Sequence, residues 1–327
     1  MTSADSPRGL RKSREQIRVA VVGGVGAYSA TAAAQYFGAK WRATSLEIEG
    51  QEGLPQIFER VAAGLVDYGL VPVENSVSGT MFDAYDLLLS TPEVHVVGDT
   101  ALYHEHCLLA LPGVCLEDVR QVVSHPHVLQ QCSSYLAALP RSADGAAVVQ
   151  RTASNTVAAC QALREAGARD TAVVASQEAG RLFQLEVLAP SISAPQEVVT
   201  RYLIVGKSPA PIEQLGEPLK CSIAVTISNV AGALFKTTAC FALRDINISK
   251  FECAPAPAYR LRPGTAFQQP FFWQYVFFID FEPSSPSLAL TAIAHLQEFA
   301  LSVRTFGLYH PQSIPVTPSK ADWTSFI

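Results

Sequence analysis

Charge is scarce in this chain. Asp, Glu, Lys and Arg make up 16% of its 327 residues, and the net charge is −5. Without a basic stripe, nucleic acid is excluded as a partner. Long apolar runs are missing as well. The densest, Phe271–Phe281, is broken by Gln274 and Asp280 and falls short of the ~18 residues that cross a bilayer, so no membrane partner is expected. Paired cysteines are absent: the seven, at 107, 115, 132, 160, 221, 240 and 253, are odd in number and never spaced CxxC. That pattern argues for reduced thiols over a disulfide framework or a zinc site. His104-Glu105-His106-Cys107 carries ligand-type side chains, but alternate residues on an extended stretch are more simply its polar face, and no metal is expected. Apolar residues are plentiful, at 49%, which at this length supports two or three domains.

The chain alternates strands and helices from Ile17 onward. Ile17–Val22 reads as a buried strand, closed by the turn Gly23-Gly24-Val25-Gly26, with Ser29 or Thr31 capping a helix that stops at Gly38. Leu54, Ile57, Phe58, Val61 and Leu65 recur at helical spacing after Pro55. Leu70–Val73 is a strand leading to Glu74-Asn75-Ser76, and Met81–Leu89 a helix. The stretch Val94–Leu111 is long enough to carry the chain from one lobe to another. A second series follows, with Ser124, Thr152 and Ser176 each standing before a helix. Such alternation predicts a doubly wound sheet whose ligands gather at strand ends. Ser208–Pro218 reads as a linker. Beyond it, Cys221–Ser228 alternates strictly, and the order of elements to Tyr309 predicts a ferredoxin-like βαββαβ unit of about ninety residues.

The stretch Gln196–Gly206 (QEVVTRYLIVG) returns to the first lobe and organises the rest. It places Thr200 and Arg201 at the mouth of an apolar strand. A charge there needs a partner, since burying it alone is costly, so an anionic ligand is expected. The Gly24-x-Gly26 turn, with Glu47 or Glu49 about twenty residues on, permits a dinucleotide reading, although Ser29 stands in the third glycine position. The firmer expectation is that glycine turns and helix N-termini face a small di-acid across a cleft.

VPVENSVSG (Val71–Gly79), VSHPHVLQQC (Val123–Cys132), Thr152-Ala153 and TRYLIVG (Thr200–Gly206) resemble, in order, the motifs of prephenate and arogenate dehydratases. The Gly232-Ala233-Leu234 turn, FALRDINISKFE (Phe241–Glu252) and FIDFE (Phe278–Glu282) resemble the ACT regulatory domain that follows them. HCLLALPGV (His106–Val114) looks most like the plant arogenate enzymes. The resemblance implies a two-lobed, periplasmic-binding-protein-like α/β domain over 17–207, lobe 1 being about 17–100 plus 190–207 and lobe 2 about 101–189. A linker at 208–218, an ACT domain over 219–310 and a tail at 311–327 would follow. The implied reaction is a decarboxylating dehydration of arogenate or prephenate that needs no cofactor.

By this resemblance Thr200 is the proton donor and Arg201 its anion anchor. Glu74, Asn75, Ser76, Ser124, His127, Thr152, Ala153 and Ser29 would contact substrate; for the hydroxyls, helix capping is the simpler role. Asn229, Gly232, Ala233, Leu234 and Glu252 would form a site for L-phenylalanine as effector, with homo-oligomerisation through the ACT domain. The plastid stroma is the implied compartment, with residues 1–16 a transit remnant; a cytoplasmic protein with a plain polar tail is the alternative. Departures from the family pattern include His127 for glutamine, Ala30 for glutamate, Asn155-Thr156 for an alanine pair, Val198 for asparagine, Tyr202 for phenylalanine, and Glu252-Cys253-Ala254-Pro255 for ESRP. They motivate a second reading, a ligand-binding paralogue without turnover.

Overall fold

In a computed structural model, residues 16–41, 45–140, 147–193, 198–212, 215, 217–255 and 274–312 are described. The tails at 1–15 and 313–327, the start of the Gln196 segment and most of the loop after Cys253 lie outside them. The first series is β1 (Ile17–Val22), α1 (Tyr28–Trp41), β2 (Leu46–Gln51), α2 (Leu54–Ala63), β3 (Tyr68–Asn75), β4 (Gly79–Thr80), α3 (Phe82–Ser90) and β5 (His95–His104). The second is β6 (Cys107–Ala110), β7 (Gln121–Ser124), α4 (Pro126–Gln131), α5 (Ser133–Ala137), β8 (Val149–Thr152), α6 (Thr156–Ala166), β9 (Thr171–Ala175), α7 (Gln177–Leu182) and β10 (Glu186–Ala189). Then come β11 (Val198–Gly206), β12 (Lys220–Ile227), α8 (Ala233–Ala242), β13 (Asn247–Pro255), β14 (Tyr275–Glu282), α9 (Pro286–Gln297) and β15 (Ser302–Tyr309).

Three sheets result, ordered β2-β1-β3-β11-β5 (with β4 beside β3), β10-β6-β9-β7-β8, and β13-β14-β12-β15. β1 runs parallel to β2 and β3, whereas β11 returns antiparallel between β3 and β5. In the second sheet β7 is parallel to β8 and β9. The long Val94–Leu111 stretch is two strands in two different sheets, with the crossing at Glu105 and His106. The chain therefore passes between lobes there and again before β11.

Local chemistry explains most of the elements. α2 buries Ile57, Phe58 and Val61, takes Pro55 in its first turn, and ends at Gly64 with φ +71°, a left-handed terminus that favours glycine. α1 runs past Gly38 to Trp41, because an isolated glycine on an open helix face costs only about 1 kcal/mol. The segment after His125 forms two short helices, α4 and α5, separated at Cys132, whose ψ is 8°.

The third sheet is covered on both faces. Ile223, Val225 and Ile227 pack with α8 and α9. Ala224, Val276, Phe278, Phe306 and Tyr309 face the other way, into one cluster with Tyr85, Leu88, Val94 and Val96 of the first lobe. At the closest approach, a Cβ on Gly307 would stand 1.9 Å from the carbonyl oxygen of Val96. β12 is thus buried on its Ser222 and Thr226 side too, where its alternation predicts exposure.

Candidate active site

A strand turns successive side chains to opposite faces. On β11 this separates two neighbours that the sequence joins. Thr200 and Tyr202 face a cavity of about 180 Å³ between the lobes. Arg201 faces away, toward the third sheet. There its guanidinium reaches Asp280 Oδ2 at 2.5 Å, Asp99 Oδ2 at 2.9 Å, Tyr309 Oη at 3.2 Å and Glu74 Oε2 at 3.9 Å. Burial alone would lower the Arg201 pKa, but Tyr309, Asp280 and Asp99 raise it above the ordinary guanidinium value. The anion expected beside Arg201 is therefore supplied by the protein's own carboxylates, which corrects its role as substrate anchor. Glu74 shares that face, 3.1 Å from Lys250 Nζ, and does not line the cavity.

Of the other expected contacts, Asn75, His127 and Ser29 line the cavity with Thr200. Four do not. Ser124 ends β7 and donates to the Val174 carbonyl at 2.6 Å, leaving His125 as the helix cap. Thr152 is exposed within β8, and the cap of α6 is Asn155, whose Oδ1 accepts from Ala158 N–H at 2.8 Å. Ala153 is held by its N–H on the Ser124 carbonyl. Ser76 is exposed and accepts from Val199 N–H at 3.0 Å.

The hydrogen bonds behind Thr200 have a defined direction. Asn75 Oδ1 accepts from the N–H groups of Val77 and Ser78, each at 3.0 Å. Backbone N–H groups only donate, so the amide orientation is settled and Asn75 Nδ2 donates to Thr200 Oγ1 at 2.9 Å. Gln131 Nε2 donates to the same Asn75 oxygen at 3.4 Å, which turns Gln131 Oε1 toward His106 Nε2 at 2.8 Å. His106 is fully buried, and burial lowers its pKa against the raising effect of Gln131. The ring is neutral, carries its proton on Nε2, and accepts from Tyr28 Oη at Nδ1, 2.6 Å away. Polarity therefore runs one way, from Tyr28 through His106, Gln131 and Asn75 to Thr200.

Tyr28 also stacks on His104, with ring centroids 4.1 Å apart. Burial, and then His106, hold the His104 pKa down to about 3. His125 is likewise lowered, by burial and then His127. Sequence reasoning treated His104 and His106 as a strand's polar face and passed over Tyr28 and Gln131. The available signal was the cost of a buried polar side chain, since His106 precedes the unbroken apolar run Cys107–Leu111.

No Lys or Arg lines the cavity among the described residues. Its polarity comes from hydroxyl, amide and imidazole side chains and from the starts of α1 and α6, which contribute Tyr28, Ser29 and Thr156; helix N-termini present unpaired N–H groups suited to carboxylates. Gly23, Gly24 and Gly26 all have φ between 85° and 88°, which only glycine adopts cheaply. The turn does not make a dinucleotide cradle. Gly50 closes on it, so that a Cβ there would lie 2.7 Å from Gly24 Cα, and Glu49 is paired with Arg60. Among the described residues no three His, Cys, Asp or Glu side chains converge as a metal site, and no helix is long and apolar enough to cross a membrane.

Of the five expected effector residues, four gather at one turn, where Ala233 is buried, and Glu252 stands apart. Asn229, Gly232 and Leu234 are exposed around the turn into α8. Glu252 pairs in register with Phe278 on the opposite sheet face, where it accepts from Thr80 Oγ1 at 2.6 Å.

The family model described as prephenate dehydratase matches residues 19–210. A protein of Arabidopsis thaliana, arogenate dehydratase/prephenate dehydratase 1, chloroplastic, is 36% identical over 297 residues, 90% of this chain and 72% of its own length. Among solved structures, a prephenate dehydratase from Arthrobacter aurescens in complex with L-Phe aligns with TM-score 0.74 and 25% identity, covering 94% of this chain and 96% of that one. A quorum-quenching acylase, GqqA, aligns with TM-score 0.73 and 25% identity, covering 90% and 98%. One frame thus serves two chemistries, and the cavity has to decide between them.

Proposed function

The chain belongs to the prephenate dehydratase family, and from that premise we propose that it is an arogenate or prephenate dehydratase, a carbon–oxygen lyase. The observation that carries the reading is Thr200, 3% exposed, presented to the inter-lobe cavity with one lone pair already engaged by Asn75. The reaction breaks the ring–carboxylate bond, releasing CO2. That electron pair completes the aromatic ring and expels the ring hydroxyl, which needs one proton to depart as water. Thr200 supplies it, and accepting the Asn75 N–H makes its own O–H a better donor. The N-termini of α1 and α6 receive the substrate's carboxylates. His127, in the place of the family's glutamine, offers an imidazole N–H or lone pair to orient the substrate. Aromatisation drives the step, so the residues present suffice.

The test is turnover. The purified chain should convert prephenate to phenylpyruvate or arogenate to phenylalanine. Thr200→Ala should lower kcat by at least ~100-fold, the scale of a lost general acid. Equal rates in the two proteins would end the assignment of Thr200. No product from either substrate would end the reading as a whole.

The βαββαβ unit supports a second part of the proposal. We assign 17–207 to catalysis, 208–218 to a linker and 219–310 to an ACT domain, through which copies of the chain associate and L-phenylalanine acts as effector. What supports the effector is the bound L-Phe of the Arthrobacter aurescens relative. The exposed Gly232 turn, with φ +77°, has no Cβ to keep an amino acid from its backbone, whereas Glu252 is spent on Thr80. The chloroplastic Arabidopsis thaliana relative supports a plastid stroma location.

A further inference from the structure

Thr200 of β11 pairs in register with Asn75 of β3, and their neighbours Arg201 and Glu74 form the next pair. The first pair faces the cavity and the second faces the third sheet. Beyond Asn75 the chain turns straight back as β4, where Gly79 pairs with Asn75 and Thr80 with Glu74. The turn is gathered on the Asn75 amide. Its Oδ1 accepts from the N–H groups of Val77 and Ser78 at 3.0 Å and from Ser78 Oγ at 3.2 Å. A hairpin this short is marginal unless something else holds it. The third sheet supplies that hold. Lys250 is the one lysine buried among the described residues, at 8% exposed, and lysine is seldom buried unless paired. Its Nζ donates to Thr80 Oγ1 at 2.9 Å and stands 3.1 Å from Glu74 Oε2, so one ammonium joins both strands of the hairpin. Glu252, two residues on along β13, accepts the Thr80 proton at 2.6 Å.

We propose that Lys250 is a positioning residue for Thr200: by joining Glu74 to Thr80 it keeps the hairpin turn closed, and the closed turn keeps the Asn75 N–H on the threonine oxygen. In the closed turn three donors from residues 77 and 78 fix Oδ1, so Nδ2 donates to Thr200 Oγ1 at 2.9 Å. When the turn opens those donors leave, and of the contacts to Oδ1 just described there remains Gln131 Nε2 at 3.4 Å. The amide is then free to rotate half a turn and bring Oδ1 to Thr200. A carboxamide oxygen accepts and does not donate, so the threonine O–H would turn to Asn75, and the leaving group would lose its donor. Lys250 makes and breaks no bond in the reaction and touches no reacting atom. Its effect passes through one hairpin, and it gives the third sheet a part in turnover even with no effector bound.

The inference rests on the dehydratase reading, and hydrogen exchange separates the two because it is read without turnover. Kinetics and deuterium uptake of the peptides covering 74–80 are measured on the full chain, on Lys250→Met, which keeps the apolar stem, and on Lys250→Arg, which keeps the charge and the donors. For Lys250→Met the expected result is a fall in kcat of at least about tenfold with KM within about twofold, the split expected of a misplaced acid. Uptake in 74–80 should quicken in the same variant, and Lys250→Arg should recover most of both. A kcat within about twofold of the parent for Lys250→Met overturns the inference, as does loss confined to KM. A fall in kcat with uptake in 74–80 unchanged overturns it too. Should Lys250→Met fail to fold, Thr80→Val takes its place, since it keeps the Lys250–Glu74 pair; a fall in kcat of about threefold or more supports the inference and a smaller one overturns it. Should the unaltered chain turn over neither substrate, the dehydratase reading fails by itself. Quickened uptake in Lys250→Met would then still support the hold on the hairpin, and unchanged uptake would still overturn it.

Discussion

Replacing Arg201 by methionine is the perturbation that separates its two possible roles most sharply. The side chain is 17% exposed and the carboxylates of Asp99 and Asp280 are 6% and 4% exposed. At an effective dielectric of ~20, a unit pair 2.9 Å apart interacts by roughly 6 kcal/mol before desolvation is subtracted. Asp99 keeps a second cation, Lys220 Nζ at 3.6 Å, so its loss is partial. Asp280 has no second cation among the ion pairs of the described residues and bears most of the cost. Removing one partner of such a buried set costs about 3–5 kcal/mol, and Arg201→Met should lose that much in urea unfolding followed by fluorescence. Asp280→Asn, which leaves the guanidinium with Asp99, should lose less. The double variant should fall short of the sum by ~1–3 kcal/mol, the coupling expected of contacting groups. A loss below about 1 kcal/mol for Arg201→Met would refute the reasoning. So would intact stability with a KM raised by orders of magnitude, which would return the guanidinium to the substrate.

Other expectations follow from the same geometry. Gly307→Ala should cost ~1–3 kcal/mol or more, because its Cβ meets the Val96 carbonyl, which is backbone and cannot rotate aside; thermal unfolding checks this. The folded pKa of His104, about 3, lies below the unfolded value of ~6.5, so the unfolded chain binds the extra proton. Stability is then full above pH ~6.5 and falls as pH drops toward 3, by up to ~1.4 kcal/mol per pH unit from this group. His104→Phe, which keeps the stack on Tyr28, should flatten that acid limb, and parallel curves for the two proteins between pH 6.5 and 4 would contradict it.

Much of this was legible in the chain. The glycine turn after β1, the α2 repeat and the βαββαβ order all follow from short-range periodicity and are found where residue spacing places them, except that α2 ends at Ala63 and leaves Leu65 exposed beyond it. What spacing cannot supply is the face a strand turns to a partner not yet known. Thr200 and Arg201 are neighbours in sequence, and period two assigns them to opposite sides, but nothing local says which side holds the cavity. Glu74 and Glu252 went to the wrong partner for the same reason. The polar positions of β12, Ser222 and Thr226, read as an exposed face because the lobe that covers them is more than a hundred residues away. His106 and Gln131 are 25 residues apart and meet only once the second lobe has folded, so their shared role exists only in three dimensions.

The lack of Lys and Arg among the described residues that line the cavity bears on how a carboxylate can be persuaded to leave. A guanidinium or ammonium in contact with it would hold the negative charge in place and so oppose the flow of its electrons into the ring. Peptide dipoles and uncharged amides grip more weakly and give up less when the charge moves. A pocket short of cations is therefore suited to releasing CO2, at the cost of looser capture of the acid that carries it.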